Sequence, residues 1–436
     1  MRNAAANVVS TLVKAGHEAV FAGGCVRDML RGVDPKDYDV ATSARPAQVQ
    51  ALFPHSIPVG AHFGVIIVRK GPHQIEVATF RRDGTYTDGR RPDSVEFTSA
   101  VEDAKRRDFT VNGLFYNPLT EEVLDYVGGR ADLERKLLRA IGDARSRFRE
   151  DHLRLLRAVR FATVLGYEID ADTWSAMRDL APEVASVSAE RIREELVKIF
   201  LHPNRVRGFD LLVDSGLMKA VLPEILALQG CEQPPQWHPE GDVFKHTRIM
   251  LGLLPAKVSL PLVLSVLLHD IAKPATYEVD ETGRIRFNGH DKQGAEMTEE
   301  ILRRLKFPND VIHPTVEAVA NHMMFKDVQK MRVSKLKRFM ARPTYEDEME
   351  LHRVDCMSSN GLTENYDFLR AKEAEFAAEL RPLVPAPLIN GHEIMAMGVP
   401  AGPRVGELLR MVQDLQLEGS LKTAEEAREW IRAKTL

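Results

Sequence analysis

The spacing of apolar residues changes character once along this chain, and that change limits the fold more than any other feature. Before about residue 140, short alternating runs dominate. After an opening helix to about Lys14, the runs Ala19–Phe21, Tyr38–Val40, Phe63–Arg69, Gln74–Phe80 and Val123–Val127 read as strands. From about Leu133 onward apolar residues recur every three or four positions, as in Leu153, Leu156 and Val159 and again in Ile192, Leu196 and Ile199, which is the period of a helix. Lys70-Gly71-Pro72-His73 is a polar connection rich in turn residues, so the strands on either side of it are expected to pair antiparallel. The expected class is α+β: a head with a small mixed sheet, then helices to the last residues.

The 436 residues are about three times the ~150-residue prior for one domain. Breaks rich in Pro and Gly at Gln229–Gly241 and Arg381–Gly391 place the expected boundaries, giving a head (1–140), a helical neck (141–228), a helical middle domain (229–380) and a helical tail (381–436). With 44% hydrophobic and 28% charged residues the chain is neither disordered nor collagen-like. Its longest apolar run, Val258 to Leu268, holds Ser259, Pro261 and Ser265 and falls short of the ~20 residues that cross a bilayer. The first residues read as an amphipathic helix rather than a secretion signal, and Cys25, Cys231 and Cys356 are odd in number and far apart, so a reduced, cytoplasmic protein is expected. The net charge of −4 gives no whole-chain signal for nucleic acid, yet seven basic residues against the single Asp327 lie between Lys326 and Arg342. Such a run is either a phosphate-contacting surface or a solvated helix face.

The strand Ala19–Phe21 runs into Ala22-Gly23-Gly24-Cys25-Val26-Arg27-Asp28 and then an apolar helical turn. Two glycines at a strand-to-helix junction let backbone N–H groups approach an anion, although the same pair also makes an ordinary tight turn. Asp37-Tyr38-Asp39 puts two carboxylates at i and i+2, on one side of an extended strand. Such a pair repels itself unless a divalent cation intervenes, and oxygen ligands beside substrate phosphates suit Mg²⁺. A solvent-facing loop with two acids is the plainer alternative. Asp151 and Arg154 stand three apart in an expected helix and so project from a similar side. A carboxylate there accepts from the exocyclic amine of cytosine or adenine while a guanidinium donates to the adjacent ring nitrogen; an ordinary intrahelical ion pair is the competing reading.

Together, Gly23-Gly24-Cys25-Val26-Arg27-Asp28, Asp37-Tyr38-Asp39, Arg106-Arg107-Asp108-Phe109-Thr110-Val111-Asn112, Glu150-Asp151-His152-Leu153-Arg154-Leu155-Leu156-Arg157 and Ala189-Glu190-Arg191-Ile192-Arg193-Glu194-Glu195 resemble, in order, the motifs of the class II tRNA nucleotidyltransferase and bacterial poly(A) polymerase family. The resemblance covers roughly residues 15–200. It implies that Asp37 and Asp39 are catalytic Mg²⁺ ligands and that Gly23, Gly24, Arg27 and Asp28 form or brace the nucleotide cradle. It implies further that Arg107, Asp108 and Asn112 contact the sugar and phosphates, and that Asp151, Arg154 and Arg157 serve nucleotide selection. Arg106 also reads as a surface charge, and Asn112 as a cap.

The implied reaction is template-independent addition of C, C and A to a tRNA 3′ end from CTP and ATP. Where the family's poly(A) polymerases carry a basic segment, this chain has Gly60-Ala61-His62-Phe63-Gly64-Val65, which favours tRNA as substrate. The turn-rich segment Arg81–Val95 is full length, unlike the shortened loop of CC-only relatives. Poly(A) synthesis, partial A-only or CC-only addition, and a phosphohydrolase with an RNA-binding head are the alternatives.

A second set of residues, His246, His269-Asp270 at the end of an apolar run, and Asp355, resembles the metal site of the HD phosphohydrolase superfamily, with His290 and His322 available for a second metal and Lys273 for a substrate phosphate. Imidazole and carboxylate suit Mn²⁺, Ni²⁺, Zn²⁺ or Fe, and the implied activity is hydrolysis of phosphomonoesters or 2′,3′-cyclic phosphates; a domain kept for scaffolding is the alternative. In the tail, Asn390-Gly391-His392-Glu393 and Gly402-Pro403-Arg404-Val405-Gly406-Glu407 are similar to bacterial members and imply contact with tRNA, although His392 also reads as a cap. No membrane and no obligatory protein partner are expected.

Overall fold

The computed structural model describes residues 1–60, 64–84, 94–378 and 382–435. It divides into two compact units, Met1–Leu226 and Ala227–Leu436.

The first unit opens with a helix, Arg2–Lys14, and is built on seven strands: β1 (Ala19–Ala22), β2 (Val40–Thr42), β3 (Ser56–Gly60), β4 (Val65–Lys70), β5 (His73–Thr79) and, after a small separate ribbon of β6 (Arg81–Asp83) and β7 (Val95–Phe97), β8 (Leu114–Asn117) and β9 (Glu122–Asp125). Their spatial order is β3-β4-β5-β2-β1-β8-β9. The β2–β5 pair is parallel and the others are antiparallel, including the expected β4–β5 hairpin, in which Ile66 faces Val77 and Val68 faces Ile75. The strand alternation of β1 divides the core. Phe21 packs with Ala5, Val8, Val9 and Leu12 of the opening helix on one face, whereas Val20 and Ala22 pack with Phe80 and Phe115 on the other.

One sequence expectation shifts here, and another falls on residues that are not described. The strand placed at Tyr38–Val40 begins at Val40, because pairing with β1 starts at the Phe21–Val40 register and Asp39 contributes only its carbonyl, which accepts from the Ala22 N–H at 3.0 Å. Residues 61–63 and 85–93, on which part of the poly(A)-versus-tRNA reading and of the Arg81–Val95 loop reading rests, lie outside the described residues.

From Gly129 the chain is mainly helical, as the three-to-four spacing requires, but not wholly so. A two-residue parallel pair, β10 (Leu137–Leu138) with β11 (Glu168–Ile169), lies in the first unit, and a ribbon of β12 (Tyr277–Val279) and β13 (Ile285–Phe287) in the second. The ribbon is made by its turn. The Asp280 side chain accepts from Thr282 N, Thr282 Oγ1 and Arg284 N, and Gly283 supplies φ +78°. No described helix is long and apolar enough to cross a membrane. In the tail, Asn390 and Glu393 form a reciprocal capping box on the helix Gly391–Ala396, so this part of the quoted tail motif has a local structural duty.

Candidate active sites

The first unit encloses a cavity of about 530 Å³ into which the quoted motifs converge. Gly23 ends β1 at φ +73°, and a Cβ there would lie 2.8 Å from Arg107 Nη1, so the glycine is required both by its backbone and by that arginine. Its successor starts the helix Gly24–Leu30, whose Arg27 donates to Asn112 Oδ1 at 2.7 Å and to both oxygens of Asp28 at 2.9 and 3.1 Å. Asp28 thus braces the cradle from outside the cavity wall. Seven arginines line the cavity, against the four carboxylates of Asp39, Glu76, Asp108 and Asp151, a wall suited to a polyanion.

Of the two predicted metal aspartates, Asp39 lines the cavity and Asp37 does not. The Asp39 carboxyl is pushed up to about 6, first by its enclosure, then by the Glu76 carboxylate and Asp37, against the pull of Arg107. Glu76, on the neighbouring β5, was not legible as a site residue. Crowded carboxylates at a cavity lined with arginines fit a divalent cation with oxygen ligands.

Asp103, 1% exposed, was likewise missed. It accepts from Arg106 Nε at 2.9 Å and from Arg107 Nη2 at 3.0 Å, holding its own carboxyl below the usual range despite burial and aiming two cavity arginines at once. Arg106 is therefore a fixed part of the site rather than a loose surface charge. Asp108 does not present a free carboxylate to a ligand. It accepts from Arg157 Nε and Nη2 at 2.8 and 2.6 Å and from Asn112 Nδ2 at 3.1 Å, which brings it down to about 2 even though burial pushes the other way. A depressed carboxylate adds stability above its unfolded pKa near 4 and loses it as pH falls toward 2. Asp108→Asn is expected to cost on the order of 2 kcal/mol at pH 7, with the difference from wild type shrinking between pH 4 and pH 2 in urea-unfolding series.

The expected helix through Asp151 and Arg154 is broken at Asp151. That residue is extended (φ −145°, ψ 105°), between helices Ala144–Glu150 and Leu153–Leu165, and its Oδ1 accepts from the Leu153 N–H at 3.1 Å. The carboxylate is therefore a cap as well as a cavity group. Arg191, from the helix Ala189–Phe200, donates to Oδ1 at 3.2 Å and to Oδ2 at 2.8 Å. A carboxylate has about four acceptor positions, so among the described residues one, on Oδ2, is left for a ligand. Arg154 spends Nη1 on the Arg147 carbonyl and Glu150 and one Nη2 hydrogen on the Arg106 carbonyl at 3.2 Å, leaving Nε–H and one Nη2–H among the described residues. One acceptor beside free donors matches the amine-plus-ring-nitrogen edge of cytosine or adenine.

The second unit brings the other predicted set together. His246 comes from the helix Val243–Leu253, His290 opens His290–Arg304, His322 follows Asn309–Asn321, and Asp355 lies in Tyr345–Ser358. His269 and Asp270 are not within their apolar helix but just past its end at Leu268, where the chain turns both side chains inward. All four imidazoles are buried, at 0, 1, 5 and 8% exposure for His246, His269, His290 and His322. Each Nδ1 faces an acceptor: Glu240 Oε1 at 2.7 Å, and the carbonyls of Val266, Phe287 and Val319 at 3.0, 2.7 and 2.6 Å. In a neutral ring the proton therefore sits on Nδ1 and Nε2 presents a lone pair. Those lone pairs face acceptors too, with His246 Nε2 3.1 Å from Asp355 Oδ1, His269 Nε2 3.2 Å from Asp270 Oδ2, and His290 Nε2 3.1 Å from His322 Nε2. Converging lone pairs repel unless cations lie between them, so this donor set fits metal ions. Burial pulls His246 down, but hydrogen bonds to Asp355 and Glu240 outweigh it and push the ring up to about 9, so a proton and a metal ion compete for the same Nε2. Lys273 is committed to Asp270 and Gln233, each at 2.7 Å, at the edge of a cavity of about 430 Å³ that also exposes Trp237, Arg286 and Lys326.

Comparison with known proteins follows the same division. Residues 19–139 match the Poly A polymerase head domain, 166–228 the probable RNA- and SrmB-binding site of polymerase A, and 243–357 the HD domain. The chain is 44% identical over 214 residues to a CCA-adding enzyme of Oceanobacillus iheyensis, an alignment covering 49% of this chain and 53% of that one, about half the relative's length. It is 33% identical over 431 residues to an A-adding tRNA nucleotidyltransferase of Deinococcus radiodurans, covering 95% of each. A CCA-adding enzyme of Lactobacillus johnsonii is 31% identical over 427 residues, covering 97% of this chain and 95% of the relative. Among solved structures, the Bacillus stearothermophilus CCA-adding enzyme in complex with CTP superposes with a TM-score of 0.77 at 27% identity, covering 99% of this chain and 97% of that one.

Proposed function

This chain belongs to the tRNA nucleotidyltransferase family that includes the CCA-adding enzymes, and on that premise we propose that it adds C, C and A to the 3′ end of tRNA from CTP and ATP without a nucleic-acid template. The observation that carries the proposal is a single cavity holding a glycine turn, a wall of arginines, crowded carboxylates and the Asp151–Arg154 pair.

In this reading Arg27 and Arg107 hold the triphosphate against Gly23 and Gly24, with Asp28 and Asn112 keeping Arg27 in place and Asp108 keeping Arg157. Asp37 and Asp39, joined by Glu76, would hold Mg²⁺, which would supply activation of the attacking 3′-hydroxyl and charge relief at the departing pyrophosphate. Asp151 accepts from the exocyclic amine and Arg154 donates to the ring nitrogen. Uracil and guanine would set acceptor against acceptor and donor against donor, at a cost of a few kcal/mol in a dry site.

The test is extension of a tRNA that ends before its CCA, resolved at single-nucleotide length. Two additions with CTP alone and a third only when ATP is also present are expected. Extension by ATP alone, on a tRNA already ending in CC and not before, would make the chain an A-adding enzyme; a long ATP ladder would make it a poly(A) polymerase.

For the second unit we propose that His246, His269, Asp270 and Asp355 hold a transition-metal ion such as Mn²⁺, Ni²⁺, Zn²⁺ or Fe, with His290 and His322 completing a second position. The bound metal would supply an activated water for hydrolysis of phosphomonoesters or cyclic phosphates, and Lys273 would face the phosphate. The four-part organisation into head, neck, HD-type domain and tRNA-contacting tail, and a cytoplasmic location, belong to the same proposal.

A further inference from the structure

Three of the four inward-facing histidines are oriented by main-chain carbonyls, and His246 alone leans on a carboxylate. That carboxylate is Glu240, with its side chain 7% exposed. Its Oε1 accepts from His246 Nδ1 at 2.7 Å and from His238 Nδ1 at 2.9 Å, while its Oε2 is buried without a hydrogen-bond partner among the described residues. Ser358 Oγ also lies 3.2 Å from His246 Nδ1, but its hydroxyl donates to the Asp355 carbonyl at 2.9 Å and so offers that nitrogen no proton. Glu240 is held in place by the next turn of chain. Asp242 accepts from Gly230 N at 2.9 Å and from Lys245 N at 2.9 Å, tying the segment to the start of the His246 helix.

We propose that Glu240 is a positioning residue for the metal site, holding the proton of His246 on Nδ1 so that its Nε2 lone pair faces the cation position beside Asp355. A neutral acceptor would hold the same proton. A carboxylate also makes the imidazole a stronger donor, by withdrawing positive charge that metal binding places on the ring. Once Nε2 gives up its proton for a metal ion, its lone pair lies 3.1 Å from a carboxylate oxygen, and Glu240 keeps the ring from relieving that by moving its Nδ1 proton across. Glu240 faces the opposite ring nitrogen from Asp355, so it acts through His246 and not as a ligand.

The inference rests on the metal-ligand reading of His246, and the experiment separates the two. Zn²⁺ affinity is measured by calorimetry on the full chain, stripped of metal, for wild type, Glu240→Gln, Glu240→Ala and His246→Ala, with circular dichroism to establish folding. The Glu240 variants are expected to bind 10–100-fold more weakly than wild type, and His246→Ala more weakly still. Wild-type affinity in both Glu240 variants overturns the proposal, as does a loss in Glu240→Ala as deep as in His246→Ala, which would make Glu240 a direct ligand. Undiminished binding by His246→Ala overturns the ligand reading instead. Proton–nitrogen spectra of the zinc-loaded, histidine-labelled protein then judge Glu240 by itself. The Nδ1–H proton of His246 is expected far downfield in wild type, as a hydrogen bond to a carboxylate requires, and to move upfield in Glu240→Gln. An unchanged Nδ1–H signal overturns the positioning role.

Discussion

Asp39→Ala is expected to lower single-turnover nucleotide transfer about 10³-fold, or about 4 kcal/mol at the transition state. Enclosure, Glu76 and Asp37 disfavour the charge of this carboxylate and Arg107 compensates in part, so a cation bound beside it would relieve the crowding. Removing it should leave the fold intact, because it relieves repulsion rather than breaking a pair, and the thermal midpoint should not fall. Asp37→Ala gives a finer reading. A loss of similar size means both aspartates of the motif share the ion, as the family resemblance implies. Near-wild-type activity in Asp37→Ala beside an inactive Asp39→Ala would assign the ion to Asp39 and Glu76. Full activity in Asp39→Ala would remove the metal site from this cavity altogether.

The second large effect concerns which base is accepted. Asp151→Ala is expected to reduce the preference for CTP over UTP, measured as the ratio of kcat/KM values on a tRNA lacking CCA, by about 10²-fold. Wild-type Asp151 offers one remaining acceptor, and uracil presents a carbonyl to it; alanine presents nothing, and the mismatch vanishes along with the match. CTP turnover should drop while UTP turnover changes little. The same substitution removes a helix cap, worth about 1 kcal/mol, so the thermal midpoint must be followed in parallel. An unchanged CTP/UTP ratio in a folded protein would show that the base is read elsewhere.

The head and the convergence of most of its motifs were legible because their polar residues are neighbours in sequence: Gly23 beside Gly24, Arg107 beside Asp108; of the Asp37–Asp39 pair only Asp39 lines the cavity. What sequence reading missed comes from elements that only the fold brings together. Glu76 comes beside Asp39 because β5 lies beside β2, a pairing that neither sequence run announces. Arg191 meets Asp151 across 40 residues, and although its motif was quoted, nothing in the sequence paired it with that carboxylate. Asp151 itself was read as helical because a carboxylate three residues before an arginine fits a helix, whereas its own side chain ends one helix and starts the next. The ribbon β12–β13 escaped notice because three-residue strands carry too little alternation to outweigh the surrounding helical pattern, and its turn is made by one aspartate.

Arg106 joins two duties. Its guanidinium is set by Asp103 beside Arg107, and its carbonyl receives Arg154 at 3.2 Å and Arg147 at 3.2 Å. Arg106, which lines the cavity, is therefore also the anchor of Arg154, the residue proposed to read the base. In evolutionary terms, the two functions are not free to drift apart. A lineage that altered its base preference through Arg154 would disturb the backbone on which the neighbouring arginines stand, and accepted changes at residues 103, 106, 150 and 154 should arise as sets.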